Sequence, residues 1–157
     1  MDARRAFLRS VIAIGLSALS ACSAGDQTEP LRVPQAATGA FNAQGLPLLR
    51  NPLPDDEPTR AAGAQVYASY SCAACHGERL EGGLGPSLVN TIWVYGSDDT
   101  TLFFLIRDGS KALRAHGYHR LGHEPQPGEM SPFASLLREQ QIWEFIVYLH
   151  AQARTAD

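Results

Sequence analysis

The chain has 157 residues, a formal net charge of -3 and an isoelectric point near 5.9. That length suits one domain with a modest core, and the absence of any repeat at a period of about 20–50 residues sets aside a solenoid. With 13 basic against 16 acidic side chains and no basic stripe, nucleic acid is excluded as the main partner.

Residues 1–21 read as a signal peptide. Arg4, Arg5 and Arg9 form a positive first region, and "VIAIGLSALSA" is an apolar run of export-signal length. It falls short of the ~20 apolar residues that a membrane span needs. "LSAC", Leu19 to Cys22, resembles the bacterial lipobox, in which the cysteine is lipidated and becomes the new N-terminus. Several acyl chains at Cys22, at ~0.8 kcal/mol per buried CH₂, would give stable anchoring. "RRAFL" also resembles a twin-arginine signal, although ordinary secretion is the more common route for such positive regions. Removal of residues 1–21 takes away three arginines and one aspartate and leaves the mature chain more acidic.

Residues 22–58 are rich in Pro, Gly and Ala and lack apolar periodicity, which predicts a lipid-anchored flexible linker with Phe41 and Leu46 lying on the domain; an N-terminal extension packed on the core is the alternative. The domain itself is expected over 59–157. Thr59 can cap a helix over about 60–70, with Gly63, Val66, Tyr67 and Tyr70 on one face. A second helix is expected to start after Ser97 and end at Gly109, with Asp98 and Asp99 in its first turn, where carboxylates suit the dipole. Residues 110–131 look irregular. A last helix is expected over about 138–152, with Ile142, Phe145, Ile146 and Leu149 on its apolar face. No strand has a convincing signal. An all-α domain of three main helices has a thin core and needs a staple.

"CAACH", Cys72 to His76, supplies one. C-x-x-C-H is the attachment signature of c-type haem: two thiols three positions apart each add to one vinyl group, and the adjacent imidazole reaches the iron. A redox cysteine pair or half a zinc site are the alternatives. A zinc site lacks further cysteines, since only Cys22 remains, and a thioredoxin-like motif lacks its preceding strand.

Residues 59–152 resemble a class I cytochrome c. Gly63 and Tyr67 are spaced like the first-helix contact with the last helix in that family. "CAACHG" matches the haem site, "GPSL" from Gly85 to Leu88 the loop whose proline carbonyl holds the proximal histidine, and "MSPF" followed by "FIVYL" the distal methionine loop and final helix. The resemblance implies an all-α class I cytochrome c fold around one covalently bound haem c. It implies attachment at Cys72 and Cys75, iron ligation by His76 and Met130, and Pro86 holding the histidine. It also implies that Phe145 and Tyr148 meet Gly63 and Tyr67 where the terminal helices cross. Tyr67 stands one position further from Cys72 than in the shortest family members, Ser131 replaces a frequent proline, and Leu137 stands where a Ser or Thr cap is expected.

Met130 is the one methionine beyond Met1, and thioether sulfur is a soft axial ligand that raises the potential. A plain packing methionine is the alternative. His116, His119 and His123 are rival iron ligands, a surface metal site, or simply exposed loop residues. Trp93, Tyr95 and Arg107 are candidates for the haem propionates, or core aromatics and a surface arginine. The expected role is electron carriage in the periplasm rather than enzymatic catalysis. A dehydrogenase-type redox enzyme would be the donor and an oxidase or another cytochrome the acceptor, with the membrane reached through lipidated Cys22. A haem enzyme or gas sensor with an open distal site is the alternative, and a non-haem lipoprotein with a redox cysteine pair is a third. The acidic mature charge favours a partner with a basic patch.

Overall fold

The computed structural model describes residues 40–122 and 128–154, all within the unit Leu31–Asp157. The expected signal peptide, the lipidated Cys22, the linker as far as residue 39, and His123 lie outside the described residues. Four helices follow in order: α1 (Glu57–Ser69), the single turn α2 (Ala73–His76), α3 (Asp99–Ala115) and α4 (Glu139–Arg154). Among the described residues there is no strand, only an isolated antiparallel bridge between Phe41 and Pro47. Among the same residues no helix is long and apolar enough to cross a membrane.

Helix α1 begins earlier than its sequence suggests. Asp56 is the N-cap, and its Oδ1 accepts from the Thr59 amide at 3.0 Å. Thr59 is therefore inside the first turn and not the cap. Pro58 fits there because its missing N–H would have no helical partner at that position. Gly63, Val66 and Tyr67 are buried. A Cβ on Gly63 would lie 2.3 Å from the Glu144 carbonyl oxygen and 2.6 Å from Tyr148 Cβ, so only glycine lets α1 and α4 cross here. The Tyr67 ring meets Phe145 at 6.1 Å and Tyr148 at 6.4 Å, as the terminal-helix crossing requires.

Helix α3 is capped by Asp98, whose Oδ1 accepts from the Thr101 amide at 3.0 Å. It breaks at Gly109 (φ 81°, ψ 167°) and then resumes to Ala115. The expected stop at Gly109 is thus a kink, and residues 110–115, expected to be irregular, are helical. Helix α4 has no Ser or Thr cap. Instead Gln141 Oε1 accepts from the Arg138 amide at 3.0 Å, which is one half of a capping box. Ile142, Trp143 and Ile146 are fully buried, and Trp143 stacks on Phe103 of α3 at 4.4 Å between ring centroids.

Residues 40–56 do not behave as a linker. Leu46 and Leu49 are buried in the core, whereas Phe41 is 64 % exposed. The Leu49 amide donates to Thr100 Oγ1 at 2.7 Å, and Asn42 Nδ2 donates to Tyr118 Oη at 2.6 Å. Asn51 donates from its amide to Asp99 Oδ2 at 2.9 Å and from Nδ2 to the Trp143 carbonyl at 3.0 Å. The segment therefore straps across the start of α3 and the second turn of α4. Its apolar residues are spaced by contact with those elements, which leaves no helical or strand period to read.

Candidate cofactor site

The turn α2 follows α1 through Tyr70 and Ser71, the latter in the left-handed region at φ 58°. The His76 amide donates to the Cys72 carbonyl at 3.0 Å, which winds the two cysteines and the histidine onto one turn. The Tyr67 hydroxyl donates to the Gly77 carbonyl, which ties the helix crossing to this turn. Burial first, then nearby negative charge, pushes the Tyr67 phenol up to about 12, so it stays a donor throughout the neutral range.

His76 Nδ1 lies 2.8 Å from the Pro86 carbonyl oxygen. A carbonyl only accepts, so Nδ1 carries the proton and Nε2 keeps its lone pair free. Burial holds the His76 pKa down, with the Pro86 contact opposing it, and the ring is neutral at pH 7. The Gly82–Pro86 loop reaches the ring because Gly85 has no side chain: a Cβ there would lie 2.8 Å from His76 Cε1 and 3.0 Å from Nδ1. The Gly85 amide also donates back to the Cys75 carbonyl at 2.8 Å.

The Met130 loop is fastened to the break in α3. The Met130 amide donates to Ser110 Oγ and the Ser110 amide to the Met130 carbonyl, both at 3.0 Å. The helix carbonyls of Ile106 and Arg107, released by the kink, accept from the Phe133 and Ala134 amides at 3.0–3.1 Å. The Gly128 amide donates to the Leu84 carbonyl at 2.9 Å and joins this loop to the one beside His76.

Cys72, Cys75, His76, Pro86 and Met130 all line one cavity of about 350 Å³. Leu88, Val94, Leu102, Leu105, Phe133 and Leu149 supply apolar wall. This volume lies within the ~300–1,000 Å³ usual for cofactor sites. Two cysteines, a neutral imidazole and a thioether on an otherwise mainly apolar cavity form the donor set a c-type haem takes, and the residues fit that group.

Two of the three rival histidines fall among the described residues, and neither shares this position. His116 and His119 are exposed and do not line the cavity. Among the described residues no three His, Cys, Asp or Glu side chains gather into a metal site. Burial pushes the Cys72 thiol up, which is opposite to the electropositive surroundings that activate a redox thiolate. Trp93 and Tyr95 line the cavity, but Arg107 does not. Its guanidinium pairs with the neighbouring Asp108 at 2.8 Å and lies over the Phe104 ring at 4.5 Å. Arg114 reaches two residues of the cavity wall: it donates to Tyr95 Oη at 3.3 Å and pairs with Glu129. Ser110 and Arg114 escaped sequence reasoning because the helix was expected to end at Gly109. Their i, i+4 spacing was the available signal.

The fold and site define a c-type cytochrome domain. The model of the family described as "Cytochrome C oxidase, cbb3-type, subunit III" matches residues 58–149, and the chain belongs to that family, within the class I cytochromes c. The chain is 43 % identical over 60 residues to the cbb3-type cytochrome c oxidase subunit FixP of Bradyrhizobium sp. (strain ORS 278), covering 33 % of this chain and 20 % of the relative. It is 38 % identical over 61 residues to cytochrome c-L of Methylorubrum extorquens, covering 38 % of this chain and 30 % of the relative. It thus spans under a third of the length of either curated relative. The crystal structure of cytochrome cL from Methylophaga aminisulfidivorans is 23 % identical with a TM-score of 0.45, over 61 % of this chain and 54 % of that one. Family membership implies haem c.

Proposed function

We propose that the chain is a single-haem electron carrier of the bacterial periplasm, held to a membrane through lipidated Cys22. The observation that carries this reading is the convergence of Cys72, Cys75, His76, Pro86 and Met130 on one cavity. In this reading the two cysteines hold the cofactor covalently. His76 would hold the iron through Nε2, with the Pro86 carbonyl fixing its ring, and Met130 would hold it through sulfur. The haem supplies reversible exchange of one electron between ferric and ferrous iron.

The chain's own part is orientation and exclusion of water. Leu88, Leu105 and Phe133 keep the surroundings apolar, which together with thioether ligation favours the ferrous state. Met130 on the cavity wall would supply a second protein ligand besides His76, which favours a carrier over a haem enzyme or sensor with an open distal side. The donor is a periplasmic dehydrogenase-type enzyme and the acceptor an oxidase or another cytochrome. The likeness to oxidase subunits and to cytochrome c-L supports carriers of this kind.

Haem content tests the reading. Purified, exported protein should give a pyridine haemochrome equivalent to one haem per chain that stays with the denatured polypeptide. Cys72→Ala with Cys75→Ala should release it. Two haems per chain, or none, would reject the proposal.

A further inference from the structure

We propose that Ser110 is a positioning residue for the Met130 thioether, so that the break in α3 sets how firmly that sulfur stays on the iron. This rests on the reading of Met130 as an axial ligand.

Both backbone polar groups of Met130 bond to one residue. Its amide donates to Ser110 Oγ and its carbonyl accepts from the Ser110 amide. Ser110 is only 4 % exposed, so water cannot readily replace either bond. The pair is possible because of Gly109. Its backbone (φ 81°, ψ 167°) occupies a region open in practice only to glycine, and a Cβ there would lie 2.7 Å from the Met130 carbonyl oxygen. The kink thus brings helix and loop backbones into direct contact. One turn after Ser110, Arg114 pairs with Glu129, the residue before Met130. Two successive loop residues are therefore gripped by two side chains spaced i, i+4 on the resumed helix.

A serine that merely satisfied buried backbone would affect stability alone. One that positions the sulfur also controls how often the sulfur leaves the iron. Exogenous imidazole reads this difference, because it reaches the iron only when Met130 is off. In the full-length ferric holoprotein, Ser110→Ala is expected to bind imidazole about tenfold more tightly than the parent, equivalent to about 1.4 kcal/mol. Ser110→Thr, which keeps the hydroxyl, should restore the parent's affinity. An unchanged affinity in Ser110→Ala overturns the proposal, as does a Ser110→Thr variant as loose as the alanine. Met130→Ala tells the two failures apart. Much tighter imidazole binding in that variant upholds the ligand assignment, so that an unchanged Ser110→Ala counts against Ser110 alone. No gain in Met130→Ala overturns the ligand assignment and the positioning role together.

Discussion

The Nδ1 atom of His76 lies 2.8 Å from the carbonyl oxygen of Pro86, so the ring that faces the cavity is aimed by main chain ten positions further on. Because the acceptor is a backbone atom, no substitution of the Pro86 side chain removes it directly. The position is controlled by how closely the loop approaches, and that is set by Gly85.

Gly85→Ala is therefore the informative variant at this end of the site. Its methyl would fall 2.8 Å from Cε1 of His76, and either the ring or the loop must move. Overpacking of this kind costs about 1–3 kcal/mol. Urea unfolding of the holoprotein should show a loss in that range. A variant as stable as the parent would mean that the loop yields without strain.

The strap over residues 40–56 should contribute to stability. Asn51→Ala removes the side-chain bonds to the Trp143 carbonyl and the Leu53 amide, each contributing about 0.5–1.5 kcal/mol. A chain begun at residue 59, the expected domain boundary, should unfold at lower denaturant than one begun at residue 40. Equal midpoints would restore the linker reading for this segment.

The Asp56 cap has a pH signature. Hydrogen bonds from Thr59, side chain first and backbone next, hold its carboxyl below the ordinary value of 3.8. A carboxyl with a depressed folded pKa contributes stability above its unfolded pKa and loses it as pH falls through the folded value. Asp56→Ala should accordingly lower the melting temperature at pH 7, and the gap to the parent should close below pH 3.8. A gap that stays constant into acid would show that the charged carboxylate does not act as the cap.

Much of this could be read from sequence because the chemistry is contiguous. Cys72, Cys75 and His76 sit on one turn, so spacing alone carries their relation, whereas the place of Pro86 beside His76 was legible only through the family resemblance of "GPSL". Gly63 and Tyr67 were legible for a similar reason: helical periodicity put them on one face. The strap was legible only at Leu46, expected to lie on the domain, since Leu49 and Asn51 are placed by elements about 50 or more positions away. Of the two readings of Arg107, its geometry matches the surface arginine, because Asp108, its immediate neighbour, pairs with the guanidinium. Ser110 was hidden because Gly109 signals a helix end equally well whether the helix stops or resumes.

The central claim is that Met130, and not a histidine of the preceding loop, completes the site with His76. The far-red absorption band of ferric iron bonded to thioether sulfur tests it most directly. The band should be present in the oxidised parent and absent in Met130→Ala, while His116→Ala, His119→Ala and His123→Ala each retain it. A band that persists in Met130→Ala, or a parent that lacks it, would contradict the account.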